Sequence, residues 1–145
     1  MAAASTVTPS SSTTSPPLNT MSTHSTELVK GTHQFTVAGY SLQKRKATGH
    51  FIRSGSFEVG GYSWAVLFYP AGCKEEGHVS VFLDLQSTVA EKVTEKFTFH
   101  ITNSADASSS FFGRSDWTDF TPTTKSLGYR EFMEIETLES QYMIV

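Results

Sequence analysis

The residues that could support catalysis are few and separated along the chain. Cys73 and His78 lie close enough in sequence to form a thiolate and its base, but a catalytic pair of this kind also needs a third group that orients the histidine, and the sequence identifies none. The acidic pairs Glu75–Glu76 and Glu134/Glu136 are more typical of solvated loops and edge strands than of general acid–base catalysis. We therefore expect no enzymatic activity.

The histidines and paired glycines do not form a recognisable metal or nucleotide site. The histidines occur singly, without the spacing that places two ligands on one metal ion: His24, His33, His50, His78 and His100. Gly60–Gly61 lies between two predicted strands and lacks both the following helix and the Lys-Ser/Thr pair of a phosphate-binding loop. We expect a tight hairpin at Gly60–Gly61, and no bound metal or cofactor.

Phe82 is the most informative aromatic residue. The segment His78–Gln86 alternates, with Val79, Val81, Leu83 and Leu85 on one face, and Phe82 stands on the other, otherwise polar face. An exposed aromatic side chain is a favoured anchor at a protein interface, but single exposed aromatics are also common on any surface. The spacing leaves both interpretations open.

Short runs of alternating aromatic and β-branched residues predict the strands that position these groups. Pro70 ends the run that we expect to be the most buried strand, Tyr62–Tyr69. The polar segment Asn103–Ser110 predicts a loop between strands. The predicted strands are Thr32–Ala38, Gly49–Val59, Tyr62–Tyr69, His78–Gln86, a strand through Phe97, Phe99 and Ile101, and a strand near Tyr129–Ile135. With no sustained helical periodicity, this pattern predicts an all-β antiparallel sandwich.

Composition excludes several classes of partner. The net charge of -3 and pI of about 5.9 favour neither nucleic acid nor anionic lipid as a partner, and no apolar run has the length of a membrane-spanning helix. Cys73 is the single cysteine, which fits a reducing compartment. We expect the protein in the cytoplasm, the nucleus or both.

The first 26 residues differ in composition from the rest of the chain. They are rich in Ala, Ser, Thr and Pro and contain no aromatic, acidic, lysine or arginine residue, which predicts a disordered tail at residues 1–26 and a folded domain at residues 27–145. A Ser-rich start also suits an organelle transit peptide, but the first basic residue apart from histidine is Lys30.

Eight segments together resemble the MATH domain, and in particular the MATH-BTB proteins expanded in grasses. The resemblance covers nearly everything after Glu27. The segments that carry it are Lys30–Phe35, Gly39–Leu42, Phe51–Ser54, Phe57–Trp64, Phe68–Gly72, Val79–Leu83, Phe97–Phe99 and Gly128–Phe132.

The resemblance implies a TRAF-like sandwich whose shallow groove binds short Ser/Thr-rich motifs of substrate proteins, while a BTB domain later in the chain recruits a cullin scaffold for ubiquitin transfer. Phe97 shares a strand face with Phe99 and Ile101, so core packing explains it as well as the groove does. Leu127 stands where the family has tryptophan. The residues that match the groove of the family are Phe82, Phe97, Lys125, Ser126, Leu127, Gly128 and Tyr129.

The resemblance also bears on the C-terminal end of the domain. Leu138–Tyr142 match the start of the usual turn of the family and the sequence ends at Val145, so we expect the final strand and the BTB domain to be missing, the fold to be marginal and the cullin contact to be indirect. Expected partners are substrate proteins and other MATH-BTB proteins. The alternatives are a non-ubiquitylating decoy or gene fragment, and a plastid-targeted or lectin-like sandwich.

Overall fold

A five-stranded antiparallel sheet forms the centre of the structure. The structure is a computed structural model. It describes residues 3–7, 16, 18–25, 28–43, 45–74, 76–102 and 110–142. The chain divides into two units, Met1–Lys30 and Gly31–Val145. The strands are β1 (Ala3–Val7), β2 (Thr20–His24), β3 (Ile52–Arg53), β4 (Phe57–Val59), β5 (Tyr62–Tyr69), β6 (His78–Leu85), β7 (Val93–Glu95), β8 (Thr98–Thr102), β9 (Ser110–Arg114), β10 (Thr118–Phe120) and β11 (Ser126–Glu134). The helices are α1 (Tyr40–Gln43) and α2 (Ile135–Thr137), and α2 leads into a π-helical turn, Leu138–Tyr142.

The central sheet has the strand order β11-β6-β5-β3, and β4 also pairs with β5. The strands predicted at Tyr62–Tyr69 and His78–Gln86 are confirmed as β5 and β6. The hairpin predicted at Gly60–Gly61 is confirmed, since Val59 pairs with Tyr62 across it. Both glycines have positive φ, 64° and 82°, which is the backbone that a two-residue hairpin with right-handed strand twist requires.

Two short sheets, β8-β9 and β7-β10, contribute the apolar side chains that cover the inner face of the central sheet. Phe99 and Ile101 of β8 pack against the cluster of Val79, Val81 and Phe132. Val93 of β7 and Phe120 of β10 pack with Trp64 and Leu85 in a second cluster. The predicted antiparallel β-sandwich is confirmed, with its core between these layers.

The strand predicted at Gly49–Val59 is wrong as one continuous element. The structure divides it into β3 and β4. Between these strands, the side-chain hydroxyl of Ser54 takes the place of a backbone carbonyl as the acceptor for β5. Ser54 N donates to Val66 O (2.9 Å), while Val66 N donates to Ser54 Oγ (2.8 Å). An extra residue of this kind bends a strand while keeping its neighbours paired.

The strand predicted at Thr32–Ala38 is also wrong, because these residues form no ladder. The segment packs through side chains instead of backbone pairing. His33 stacks on Phe57 with ring centroids 4.3 Å apart, and Gly31 lies against the side chain of Val59. Alternation predicts which side chains pack, but not whether a strand partner is present.

Within Gly31–Val145, the strands β7, β9 and β10 were not among the sequence predictions. β7 and β10 have three residues each, which is too short for alternation to identify. The strands predicted around Phe99 and near Tyr129–Ile135 are confirmed as β8 and β11. Most of the predicted loop Asn103–Ser110 lies outside the described residues, and Ser110 begins β9.

Within the segment predicted to be disordered, β1 pairs with β2 in antiparallel register, from Ala3 opposite His24 to Val7 opposite Thr20. Threonine and valine in these strands favour extended backbone, and the disorder expected for residues 1–26 stays a prediction. The side chains of β2 are exposed, and an isolated two-stranded ladder is marginally stable in water. The domain boundary after residue 26 stays a prediction.

Tyr40 connects α1 to the core. Its side chain is 6% exposed, and its hydroxyl donates to Pro70 O at 3.3 Å. Burial, with a smaller contribution from the Glu139 carboxylate, raises the pKa of Tyr40 to about 12. Leu138 belongs to the same buried cluster, so the C-terminal helical segment packs against this part of the core.

No helix in the described ranges is long and apolar enough to span a membrane.

Candidate functional site

An open cavity of about 290 Å³ lies where β5, β6 and β11 meet two connecting segments. The strands supply its aromatic and polar side chains, and the loops supply a thiol, an ammonium group and a glycine backbone. The lining residues are Gly49, Tyr69, Cys73, Lys74, Phe82, Ser126 and Arg130.

Strand register places these groups on the outer face of the central sheet, opposite the core. Phe82 pairs with Leu67 of β5 and with Gly128 of β11. Asp84, two residues further along β6, pairs with Ser126. Directly opposed residues in a sheet project to the same face, so Phe82, Asp84 and Ser126 share one surface.

The aromatic side chains continue as a row beyond the cavity. The rings of Phe82 and Tyr69 meet edge to face with centroids 5.5 Å apart, and the ring of Phe51 lies 5.4 Å from that of Tyr69. The guanidinium of Arg53 stands 5.7 Å from the ring centroid of Phe51. Burial, followed by smaller effects of Cys73 and Asp84, raises the pKa of the Tyr69 phenol. The phenol is therefore neutral at physiological pH and offers an apolar ring with a hydroxyl group.

The loops at the cavity rim are tied to each other and to the sheet by hydrogen bonds. Gly49 N donates to Gly72 O at 2.8 Å, which joins the turn before β3 to the loop after β5. Ser80 is fully buried; its hydroxyl accepts from Cys73 N at 3.0 Å and donates to the carbonyl of Arg130. Ser80 thereby holds the loop that carries Lys74 next to the strand that carries Arg130.

Asp84 is a carboxylate of this face, and each of its oxygens accepts a hydrogen bond. Ser126 Oγ donates to Oδ1, and Gln86 Nε2 donates to Oδ2. The three side chains form a small polar network at one end of the cavity. These bonds orient Ser126 and Gln86, and because both donors are neutral they leave the negative charge of Asp84 in place.

Gly128 allows β11 to lie close to β6 beside Phe82. A Cβ atom at this position would stand 2.2 Å from Val81 O and 2.7 Å from the Cα of Phe82. Both are backbone atoms, so a side chain could be accommodated only by separating the strands. The glycine is thus required by the pairing that places Phe82 and Ser126 side by side.

We expect Gly128→Ala to lower the free energy of unfolding by about 1–3 kcal/mol, the usual cost of overpacking a well-packed site. Gly55→Ala is the matched control, since nothing lies within 4 Å of a Cβ built at Gly55, and it should change stability by less than about 1 kcal/mol. Urea unfolding followed by tryptophan fluorescence measures both. Equal stability of the two variants would show that β6 and β11 are not in this close register.

The family is established by a match over most of the chain. Residues 32–145 match the family model for the MATH domain. The chain belongs to the MATH domain family. MATH domains are protein-interaction modules, and the sandwich described above is the TRAF-like fold that this family implies.

Similar proteins from Arabidopsis thaliana have longer chains, and two of those described below are named for a MATH domain. One, BTB/POZ and MATH domain-containing protein 3, is 47% identical over 72 residues, which are 48% of this chain and 18% of the relative. Another, BTB/POZ and MATH domain-containing protein 4, is 47% identical over 76 residues, 50% of this chain and 16% of the relative. TNF receptor-associated factor homolog 1a is 41% identical over 54 residues, 37% of this chain and 5% of the relative. The chain thus covers less than a fifth of each.

In this MATH domain, the groove residues predicted from the sequence divide between the two faces of the central sheet. Phe82 and Ser126 line the cavity, and Gly128 stands opposite Phe82. Leu127 and Tyr129 pair with Leu83 and Val81 and pack against the inner clusters. Because successive side chains of β11 point to opposite faces of the sheet, the predicted groove residues on this strand are divided between the two faces.

The two remaining predicted groove residues do not line the cavity either. Phe97 packs in the cluster of Trp64 and Phe120, with its ring centroid 6.1 Å from that of Phe120. Lys125 is partly buried, and its carbonyl accepts from Leu85 N at 2.7 Å. A role of either residue in binding stays a prediction.

Sequence reasoning did not select Tyr69, Lys74 or Arg130 as site residues. Tyr69 could have been found from its position on the face of β5 opposite Trp64, once β5 was paired with β6. Arg130 lies within the irregular stretch of β11, between Tyr129 and Met133, where the register shifts, so alternation alone does not place it. Cys73 lines the cavity, whereas its proposed base, His78, pairs with Glu134 at the start of β6. No group of three or more His, Cys, Asp or Glu in the described part of the chain is arranged to hold a metal ion.

Proposed function

We propose that this MATH domain binds a short Ser/Thr-rich segment of a partner protein in the cavity on the outer face of its central sheet. The observation that carries the proposal is the meeting of Phe82 and Ser126, both matched to the groove of the family, with Tyr69 and Arg130 in one open cavity. The volume of about 290 Å³ lies at the lower limit of about 300–1,000 Å³ for small-molecule sites. A surface of this size suits one or two side chains of a peptide better than a cofactor.

The cavity offers two means of holding a peptide. Phe82 and Tyr69 present an edge-to-face aromatic pair on which an apolar side chain packs, and aromatic residues are the usual anchors of protein interfaces. β11 is the last strand in the order of the central sheet, so its outer edge supplies backbone groups for pairing with an extended segment.

The groove residues on the inner face act indirectly in this proposal. Leu127 and Tyr129 fasten β11 to the core, and Phe97 helps to fix the layer beneath. They keep Ser126 and Gly128 in position while Phe82 and Ser126 contact the peptide. Lys125 lies next to Ser126, and we propose that its side chain contacts the flank of the peptide.

We further propose that the domain recognises substrates for a cullin-based ubiquitin ligase adaptor and carries no catalytic activity of its own. The names of two similar proteins combine BTB/POZ and MATH domains, which supports this assignment. In such an assembly the MATH domain binds and its partners perform ubiquitin transfer. Its partners are then substrate proteins and other MATH-BTB proteins, in the cytoplasm or nucleus.

A blocking substitution tests whether the cavity is the binding site. We expect Ser126→Trp to fill the cavity and weaken binding of a Ser/Thr-rich peptide at least about tenfold, or roughly 1.4 kcal/mol. The probe is the tightest ligand from an array of short Ser/Thr-rich peptides, measured by fluorescence anisotropy. Thr98→Trp is the control, because Thr98 is exposed on β8 and does not line the cavity. Unchanged affinity in Ser126→Trp would remove the cavity from consideration.

A further inference from the structure

Two cations line the cavity, Lys74 and Arg130, although the chain as a whole carries a net charge of -3. Their position is therefore not the consequence of a generally basic surface. The described residues contain one ion pair, Lys92–Asp119, which involves neither of them. Asp84, a carboxylate on the same face, accepts hydrogen bonds from the neutral side chains of Ser126 and Gln86 and forms an ion pair with neither cation.

The backbone segments that carry the two cations are linked by the fold. Ser80 is 0% exposed, and its hydroxyl bridges the backbone of Cys73, next to Lys74, and the backbone of Arg130. A buried hydroxyl that satisfies two backbone groups fixes the segments it joins. The backbone segments that carry Lys74 and Arg130 are thus fixed at the same cavity before any ligand arrives.

An arginine and a lysine at the edge of an aromatic surface favour a particular ligand chemistry. The guanidinium presents a planar set of donors that matches a carboxylate or a phosphate, and the ammonium adds a second charge. Covering these cations with a neutral segment would remove their water without supplying an anion, which disfavours binding.

We propose that the cavity selects peptides in which an anionic side chain, either a phosphorylated Ser or Thr or a carboxylate, lies next to an apolar one. The apolar side chain packs on Phe82 and Tyr69, and the anionic group binds Arg130 and Lys74. This inference rests on the proposed function and specifies the class of peptide. If phosphate is the preferred anion, phosphorylation of a Ser/Thr-rich segment creates its binding site.

A peptide array with one variable position tests the inference. Each peptide contains a leucine in a Ser/Thr background, and the position next to it is serine, phosphoserine, glutamate or lysine. Affinities of the purified chain are then measured by fluorescence anisotropy at low and at physiological salt. We expect at least one anionic form to bind about fivefold or more tighter than serine at low salt, and the preference to shrink as salt rises.

Charge-removing variants assign the preference to the two cations. Arg130→Gln combined with Lys74→Gln should reduce the ratio of anionic to serine affinity below about twofold. Arg114→Gln, on β9 with its guanidinium over Phe112, is the control and should keep the full ratio. Phosphoserine alone being preferred, or phosphoserine and glutamate equally, both support the proposal and identify the source of the anion.

Two results would contradict these proposals. One contradicts only the preference for an anionic side chain, and the other contradicts peptide binding itself. If serine binds as tightly as both anionic forms, and Ser126→Trp still blocks binding, the inference fails while the proposed function stands. If the chain binds no peptide of the array, the proposed function fails first.

Discussion

Phe82→Ala should weaken peptide binding about thirtyfold or more, because truncating an aromatic anchor costs about 2 kcal/mol or more at the centre of an interface. The ring of Phe82 lies on the outer face of β6 and contacts Tyr69 edge to face. Its removal takes away the apolar wall of the cavity while the inner clusters keep their side chains. The free energy of unfolding should therefore change by no more than about 1 kcal/mol.

The control for this variant is Phe112→Ala. Phe112 is 49% exposed on β9, where its ring faces His100 and Arg114. The two substitutions remove the same atoms from different surfaces, so anisotropy titrations of both variants separate a local effect from a general loss of apolar surface. Equal affinities in Phe82→Ala and wild type would contradict the assignment of Phe82 as an anchor.

The largest effect on stability is expected at Phe120. This residue is 0% exposed, its ring meets that of Trp64 at a centroid distance of 5.1 Å, and it pairs with the buried Val93. Phe120→Ala should lower the free energy of unfolding by about 3–5 kcal/mol, the usual cost of a large cavity in a core. Since domains are stable by about 5–15 kcal/mol, such a loss leaves little margin.

Urea unfolding measures this effect, again with Phe112→Ala as the control, for which we expect a change of about 0.5 kcal/mol or less. The comparison matters because β10 has only three residues, and the β7-β10 sheet covers its end of the core through few side chains. A small effect of Phe120→Ala would mean that β7 and β10 do not close the sandwich.

Hydrophobic alternation was sufficient to predict the central strands. β5 and β6 each carry apolar residues at every second position over seven residues, and Phe97, Phe99 and Ile101 do so over five; burial of one face enforces that period. β7 and β10 could not be predicted because three residues do not establish a period. The segment Thr32–Ala38 alternates but forms no ladder. It packs on β4 through the side chain of His33, which stacks on Phe57.

The candidate site was predictable only in part, because strand register decides which face of the sheet each side chain occupies. Phe82 stands out in the sequence because it is aromatic on a polar face, and Ser126 was identified through the family resemblance. Leu127 and Tyr129 match the same motif, yet the pairing of Gly128 with Phe82 turns both toward the core. Lys74 and Arg130 are brought together by the buried hydroxyl of Ser80, and neither spacing nor composition reveals such a link.

Chemical-shift mapping tests the central claim, that the outer face of the central sheet receives the peptide. Backbone amide spectra of the labelled chain are recorded while the tightest array peptide is added. We expect the largest shifts at Tyr69, Lys74, Phe82, Ser126 and Arg130, with little change at β9. Shifts centred on Phe112 and Trp117, with the cavity residues unmoved, would contradict it.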